Sequence, residues 1–162
     1  MTSIAPLIRP ARPEDAQTLA RMRYAFRASL GDATEDEASF VARCQDWMRE
    51  ELSSGRWRCW VVEHDGAIEG HLWLHLIDKI PNPVEERERH AYISNVFISE
   101  ALRSHGLGGR LMDAAMAHCR EHGVDSVILW PTSRSRTLYQ RHGFEVREDI
   151  MAASLDEGRK LG

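Results

Sequence analysis

Three cysteines, Cys44, Cys59 and Cys119, are an odd count with no C-x-x-C pair, which excludes a disulfide framework and a cysteine-based zinc site. A reduced, cytoplasmic setting follows as the expectation. No apolar run approaches the ~20 residues that a membrane span requires. The N-terminus has no basic segment leading into an apolar stretch, so secretion is not expected. A strong charge of either sign is also missing. The formal net charge of −4 gives no electrostatic case for a nucleic-acid groove or an anionic membrane surface, so neither partner is expected. Repeats, low-complexity tracts and long linkers are absent. The 162 residues, 43% of them apolar, are enough for one core, and a single domain over 1–162 is the expectation.

What is present is concentrated in Arg103-Ser-His-Gly-Leu-Gly-Gly-Arg110, between an apolar run that reads as a strand and one that reads as a helix. A glycine-rich turn there exposes the first backbone N–H groups of the helix, and with the positive end of the helix dipole these form a site for phosphate oxygens. Gly106 and Gly108 allow close approach of backbone and anion, and Arg103 and Arg110 put positive charge at the rim. A turn without a ligand is the plain alternative. The two commonest nucleotide loops are excluded: no G-x-x-x-x-G-K-[ST] occurs, and Leu111 stands where a Rossmann fingerprint needs its third glycine.

Along the chain, a strand at Leu7–Arg9 precedes helices at about Glu14–Leu30 and Glu35–Leu52. Alternating residues predict a strand over Arg56–His64, Asp65-Gly66 predicts a hairpin turn, and Ala67–Ile77 forms the return strand. Two prolines and mixed charges make 78–89 a solvated loop. A strand at His90–Ile98 leads to the glycine loop and a helix over Leu107–His122. A short strand at Val127–Trp130, a helix at Ser133–His142 and a last strand at Phe144–Ala153 complete the order β-α-α-β-β-β-α-β-α-β. That order predicts an α/β (mixed α+β) fold, a mixed sheet with helices on both faces.

Three segments carry a resemblance. Arg103-x-x-Gly106-x-Gly108 resembles the pyrophosphate loop of the GCN5-related N-acetyltransferase (GNAT) superfamily. Leu7-Ile-Arg9-Pro-Ala-Arg-Pro-Glu14-Asp15 resembles its opening strand and first helix. Thr137-Leu138-Tyr139-Gln-Arg-His-Gly143-Phe144 resembles its L-Y-x-x-x-G-F segment. They fall in the family's order and span nearly the whole chain. The resemblance implies a mostly antiparallel sheet of six to seven strands and an enzyme that transfers acetyl from acetyl-CoA to a primary amine, without a metal; since no cysteine is placed for covalent transfer, direct attack is the expected route. It implies backbone contacts to the pantetheine arm from Val96, Phe97 and Ile98, and pyrophosphate contacts from Arg103, Ser104, His105, Gly106, Leu107, Gly108 and Gly109, with solvent the other placement for the His105 side chain. Tyr139 is implied as the acid that protonates the departing thiolate. Where many relatives carry a cofactor-contacting asparagine, this chain has Thr132, which keeps a hydroxyl but loses the amide.

The base is less determined. Some relatives use a glutamate where this chain has Tyr92. His71 and His75 share a strand face with Trp73, and histidine titrates in the right range; Glu63, His90 and a water chain are alternatives. The Pro81–Pro83 loop, with Glu85 and Glu86, is expected to wall the acceptor cleft. Glu35-Asp36-Glu37 is a second acidic cluster that would attract a cation or simply be solvated. Trp57, Trp60 and Trp73 are candidate pocket walls or core, and Cys119 falls on the apolar side of the loop helix. A non-catalytic acyl-CoA sensor is the competing reading; a helix-turn-helix regulator is disfavoured by the strand-rich middle. A homodimer is compatible with either of the first two.

Overall fold

The computed structural model describes residues 4–31 and 33–156. Five strands form one sheet in chain order: β1 (Leu7–Pro10), β2 (Trp57–His64), β3 (Ala67–Asp78), β4 (Arg89–Ile98) and β5 (Val124–Ile128). The first four are antiparallel neighbours, and β5 joins β4 in parallel because a helix carries the chain back between them. The helices are α1 (Ala16–Ser29), α2 (Glu37–Ser54), α3 (Leu107–Glu121) and α4 (Arg136–Arg141).

Local chemistry accounts for the junctions. Asp65 and Gly66 both adopt positive φ, 49° and 77°, the backbone of a two-residue turn whose twist matches its flanking strands. Asp36 caps α2 by accepting the Ser39 N–H at 3.0 Å. Ahead of α1, Asp15 takes two hydrogen bonds from the Arg9 guanidinium, at 2.8 and 3.1 Å, and one from the Arg12 N–H. Arg9 also donates to Glu63, so one arginine ties β1, β2 and the start of α1 together.

Each sheet face has its own core. Cys59, Val61 and Trp73 face α1 and α2, where Ala16, Leu19, Ala20, Val41 and Met48 meet them. Trp60, Val62, Leu72, Leu74, Ala91 and Ile93 face α3, which contributes Leu107, Leu111, Met112, Ala115 and Cys119. That spacing is the apolar stripe of a 3.6-residue helix. Leu111 is fully buried in it, and truncation to alanine would cost about 2–5 kcal/mol. Trp60 thus belongs to the core under α3, whereas Trp57 and Trp73 lie on the opposite face.

Three expectations need correction. The last strand, Phe144–Ala153, does not form: among the described residues the chain after Gly143 has no regular element, so the sheet has five strands rather than six or seven. Only Phe144 finds the core. Val146 and Ile150 stay exposed and Arg147 pairs locally with Asp149, so this segment buries too little apolar surface to join the sheet. The fifth strand begins at Val124 rather than Val127, because Gly123 ends the α3 connection and Val124 is already buried. Helix α4 is shorter than Ser133–His142, since Thr132 and Ser135 close a turn ahead of it.

Candidate active site at the open edge of β4

Strand β4 is irregular where it matters. Trp73 of β3 pairs with Ser94 and His71 pairs with Phe97, so Asn95 and Val96 together oppose a single residue. Asn95 has φ 56°, a left-handed conformation uncommon outside glycine. This bulge reverses the side-chain alternation, so Val96 and Ile98 pack on the same core as Ala91 and Ile93. On the other edge, pairing with β5 stops at Tyr92 opposite Ile128. From Ile93 onward that edge of β4 has no strand beside it among the described residues.

The glycine loop closes this gap. Gly106 precedes α3 with φ 73°, a left-handed backbone that favours glycine, and nothing lies within 4 Å of where a Cβ would stand, which leaves open space in front of it. Ser104 adopts φ 65°, a second left-handed residue and a locally strained one. No acceptor among the described residues takes the N–H groups of Leu107, Gly108 or Gly109, and the ladder begins with Arg110 N–H donating to Gly106 at 3.1 Å. Unpaired donors at the positive end of a helix of 15 residues fit a diphosphate.

A cavity of 310 Å³ runs from this loop along the open edge. Nine of the residues expected at the site line it: Val96, Phe97, Ile98, Arg103, Ser104, Gly106, Leu107, Gly108 and Tyr139. Leu102, Arg134, Ser135 and Leu138 line it too and were not expected. Ser135 was within reach of the sequence, standing one helical turn before Tyr139; Arg134 carries no such signal.

His105, Gly109 and Thr132 do not line the cavity. His105 is exposed, with Nδ1 2.8 Å from the Arg103 carbonyl. Gly109 faces His142, just past the end of α4, 3.5 Å from where its Cβ would be. Thr132 is exposed and spends its polar groups on Ser135, with its N–H donating to Ser135 Oγ at 2.9 Å. Arg110 is directed elsewhere as well, donating to the Pro6 carbonyl at 3.1 Å.

Tyr139 is buried in the cavity wall, its ring 5.8 Å from that of Phe144. Burial raises the phenol above its ordinary value, opposed by the Ser135 side chain, so the phenol keeps its proton at neutral pH. Its place follows from the sequence, since Arg136–Arg141 is a single short helix whose apolar residues, Leu138 and Tyr139, turn inward.

The candidate bases are dispersed. His71 is fully buried, stacks on Phe97 and has Nδ1 2.8 Å from the Asn95 carbonyl. Burial pushes it down to about 4, so it is neutral with Nδ1–H donating. His75 stacks on Trp57 and bonds the Arg56 carbonyl. Glu63 is engaged by Arg9. His90 lies at the start of β4 with Ser126 and Asp125, six residues and roughly 20 Å along the strand from Val96.

The Pro81–Pro83 loop sits at that same far end, and does not wall the cavity. Lys79 pairs with Asp125 and Glu86, Arg87 donates to the Val124 carbonyl, and Arg89 reaches His122 at the end of α3. Of the acidic trio, Glu35 pairs with Arg43 and Asp36 caps α2. All three thiols are raised by burial, Cys119 to about 11, so none is a nucleophile at neutral pH. Among the described residues, no three His, Cys, Asp or Glu side chains cluster as a metal site, and no helix is long and apolar enough to cross a membrane.

Residues 19–144 match the Acetyltransferase (GNAT) family, and the chain belongs to that family. It is therefore an N-acetyltransferase that uses acetyl-CoA. Over 148 residues it is 26% identical to a probable N-acetyltransferase of Mycobacterium tuberculosis, a match covering 86% of this chain and 79% of the other. Its fold is similar to that of a GCN5-related N-acetyltransferase from Ralstonia eutropha, with TM-score 0.72 and 26% identity over 94% of this chain and 100% of that one. A predicted acetyltransferase from Clostridium acetobutylicum, solved with acetyl-CoA, shares the fold at TM-score 0.77 and 19% identity, covering 93% of this chain and 96% of that one.

Proposed function

We propose that the protein moves the acetyl group of acetyl-CoA directly to a primary amine, with the donor held in the 310 Å³ cavity and Tyr139 as general acid. The observation that carries this reading is the meeting, in one cavity, of an unpaired helix N-terminus, an unpartnered strand edge and a buried, protonated phenol. Acetyl-CoA supplies the activated thioester; the protein supplies position and protons. The N–H groups of Leu107, Gly108 and Gly109 hold diphosphate oxygens, with Arg103 adding charge. Val96 to Ile98 offer backbone groups along the open edge. Tyr139 holds its proton for the departing sulfur, and its raised affinity for that proton keeps it available at neutral pH. No side chain in the cavity wall is a good base, which supports removal of the amine proton through water or by the acceptor's own ionisation in bulk solvent. With no thiol ionised at neutral pH, a covalent acetyl-cysteine step has no support.

Free-thiol release from acetyl-CoA over a panel of primary amines tests the reading. Amine-dependent release is expected; acetyl-CoA binding without any release would instead support an acyl-CoA sensor.

A further inference from the structure

Arg23, on the face of α1 that meets the sheet, is half-buried, and its hydrogen bond is to a neutral atom, Asn95 Oδ1, at 3.1 Å. Among the described residues no carboxylate lies within ion-pair distance of it, and the charge that acts on it most, Arg27 one turn along the helix, is of the same sign. A half-buried guanidinium with one neutral acceptor for five donors leaves donors that an anion would satisfy better than water does.

Its position gives that anion a role. Asn95 is the bulge residue next to Val96, at the stretch of β4 whose outer edge is open. The cavity approaches this edge from the α3 side, and Arg23 approaches it from the α1 side. Tyr92, the last residue paired with β5, is close enough to Arg23 to interact electrostatically. Its ring stands edge-on to Trp57, at 6.0 Å, and to Trp130, at 5.2 Å, with Trp130 53% exposed. An open edge flanked by one unpaired cation and an aromatic wall describes a site for a molecule with an anionic end and an apolar body.

We infer that the acceptor amine also carries a carboxylate, that Arg23 is the counter-ion for it, and that Tyr92, Trp57 and Trp130 contact its side chain. The acceptor class is then an amino acid or the end of a short peptide acid, rather than a polyamine or an amino sugar. This rests on the acetyl-transfer reading, because it places the acceptor opposite the donor across β4.

Product pairs test it without requiring turnover. Tryptophan fluorescence of the protein saturated with CoA would follow binding of the N-acetyl derivatives of phenylalanine, methionine and glutamate, each against its α-carboxamide. At least one acid is expected to bind about tenfold more tightly than its amide, the size of one charge-assisted contact. Arg23→Gln should remove the preference and Arg23→Lys should keep part of it, with acetyl-CoA affinity by calorimetry unchanged in both. Equal binding of acid and amide, no binding of any pair, or a preference that survives Arg23→Gln would overturn the inference. If Arg23→Gln fails to fold, the wild-type preference and Arg23→Lys decide. Wild-type protein that does not bind acetyl-CoA would contradict the transfer reading instead, so the two failures are separable.

Discussion

A Cβ on Gly108 would stand 3.2 Å from Leu138 Cδ2, so this glycine sets how closely α4 lies against the first turn of α3. Its role is packing as much as ligand approach, since the Cβ direction is filled by Leu138. Gly108→Val should therefore press on α4 and cost roughly 1–3 kcal/mol of stability. Leu138→Ala in the same chain should return part of that loss. Denaturant unfolding of the two single variants and the double variant would measure the coupling, and simple additivity would show that the contact is not under compression.

Tyr139→Phe keeps the ring against Phe144 and removes only the proton donor. Turnover should fall by roughly 100-fold, the usual contribution of a positioned acid, while acetyl-CoA affinity changes little. Steady-state kinetics with a verified acceptor checks this. Wild-type turnover in that variant would leave Tyr139 as a packing residue.

His71 makes stability depend on pH. Its folded value of about 4 lies below the ordinary histidine value of 6.5, so as pH falls through that window the unfolded chain takes up a proton that the folded one refuses. Stability from this group is intact above 6.5 and is lost progressively towards 4. Between pH 7 and pH 5 the loss should be about 2 kcal/mol. His71→Gln should unfold with a shallower pH dependence in urea titrations over that range. Equal slopes for both proteins would mean that the ring is solvated.

Much of the donor site is legible in the sequence because its requirements are backbone requirements written in glycines and spacing. Gly106 marks a positive φ before a helix, and Leu138 and Tyr139 lie on a short helix ended by Gly143. The order of elements up to α4 follows from periodicity and from turn residues such as Asp65-Gly66. The acceptor side is less legible, since it depends on contacts between distant segments. Arg23 and Asn95 are 72 residues apart, and nothing in either neighbourhood announces the other. The bulge at Asn95 leaves only the polar pair Ser94-Asn95 as a trace, inside a run that otherwise reads as one continuous strand. The failed last strand shows the same limit: Phe144–Ala153 has strand-like residues, but a strand needs an apolar face to receive it, and only Phe144 meets one. The charged loop at 78–89 reads correctly as solvated, while its distance from the cavity follows from the length and direction of β4.

The central claim is that acetyl-CoA is held by the N-terminus of α3, and calorimetric titration of acetyl-CoA into wild-type and Gly106→Asp protein tests it most directly. Position 106 suits this substitution better than 108, because its Cβ direction is open and aspartate tolerates a positive φ and serves as an N-cap. The variant should therefore fold while placing a negative charge where the diphosphate would lie. The account predicts saturable binding to the wild type and a loss of at least about tenfold in the variant, the effect of one unfavourable charge of ~1.4 kcal/mol. A folded Gly106→Asp protein that binds acetyl-CoA as tightly as the wild type would contradict it.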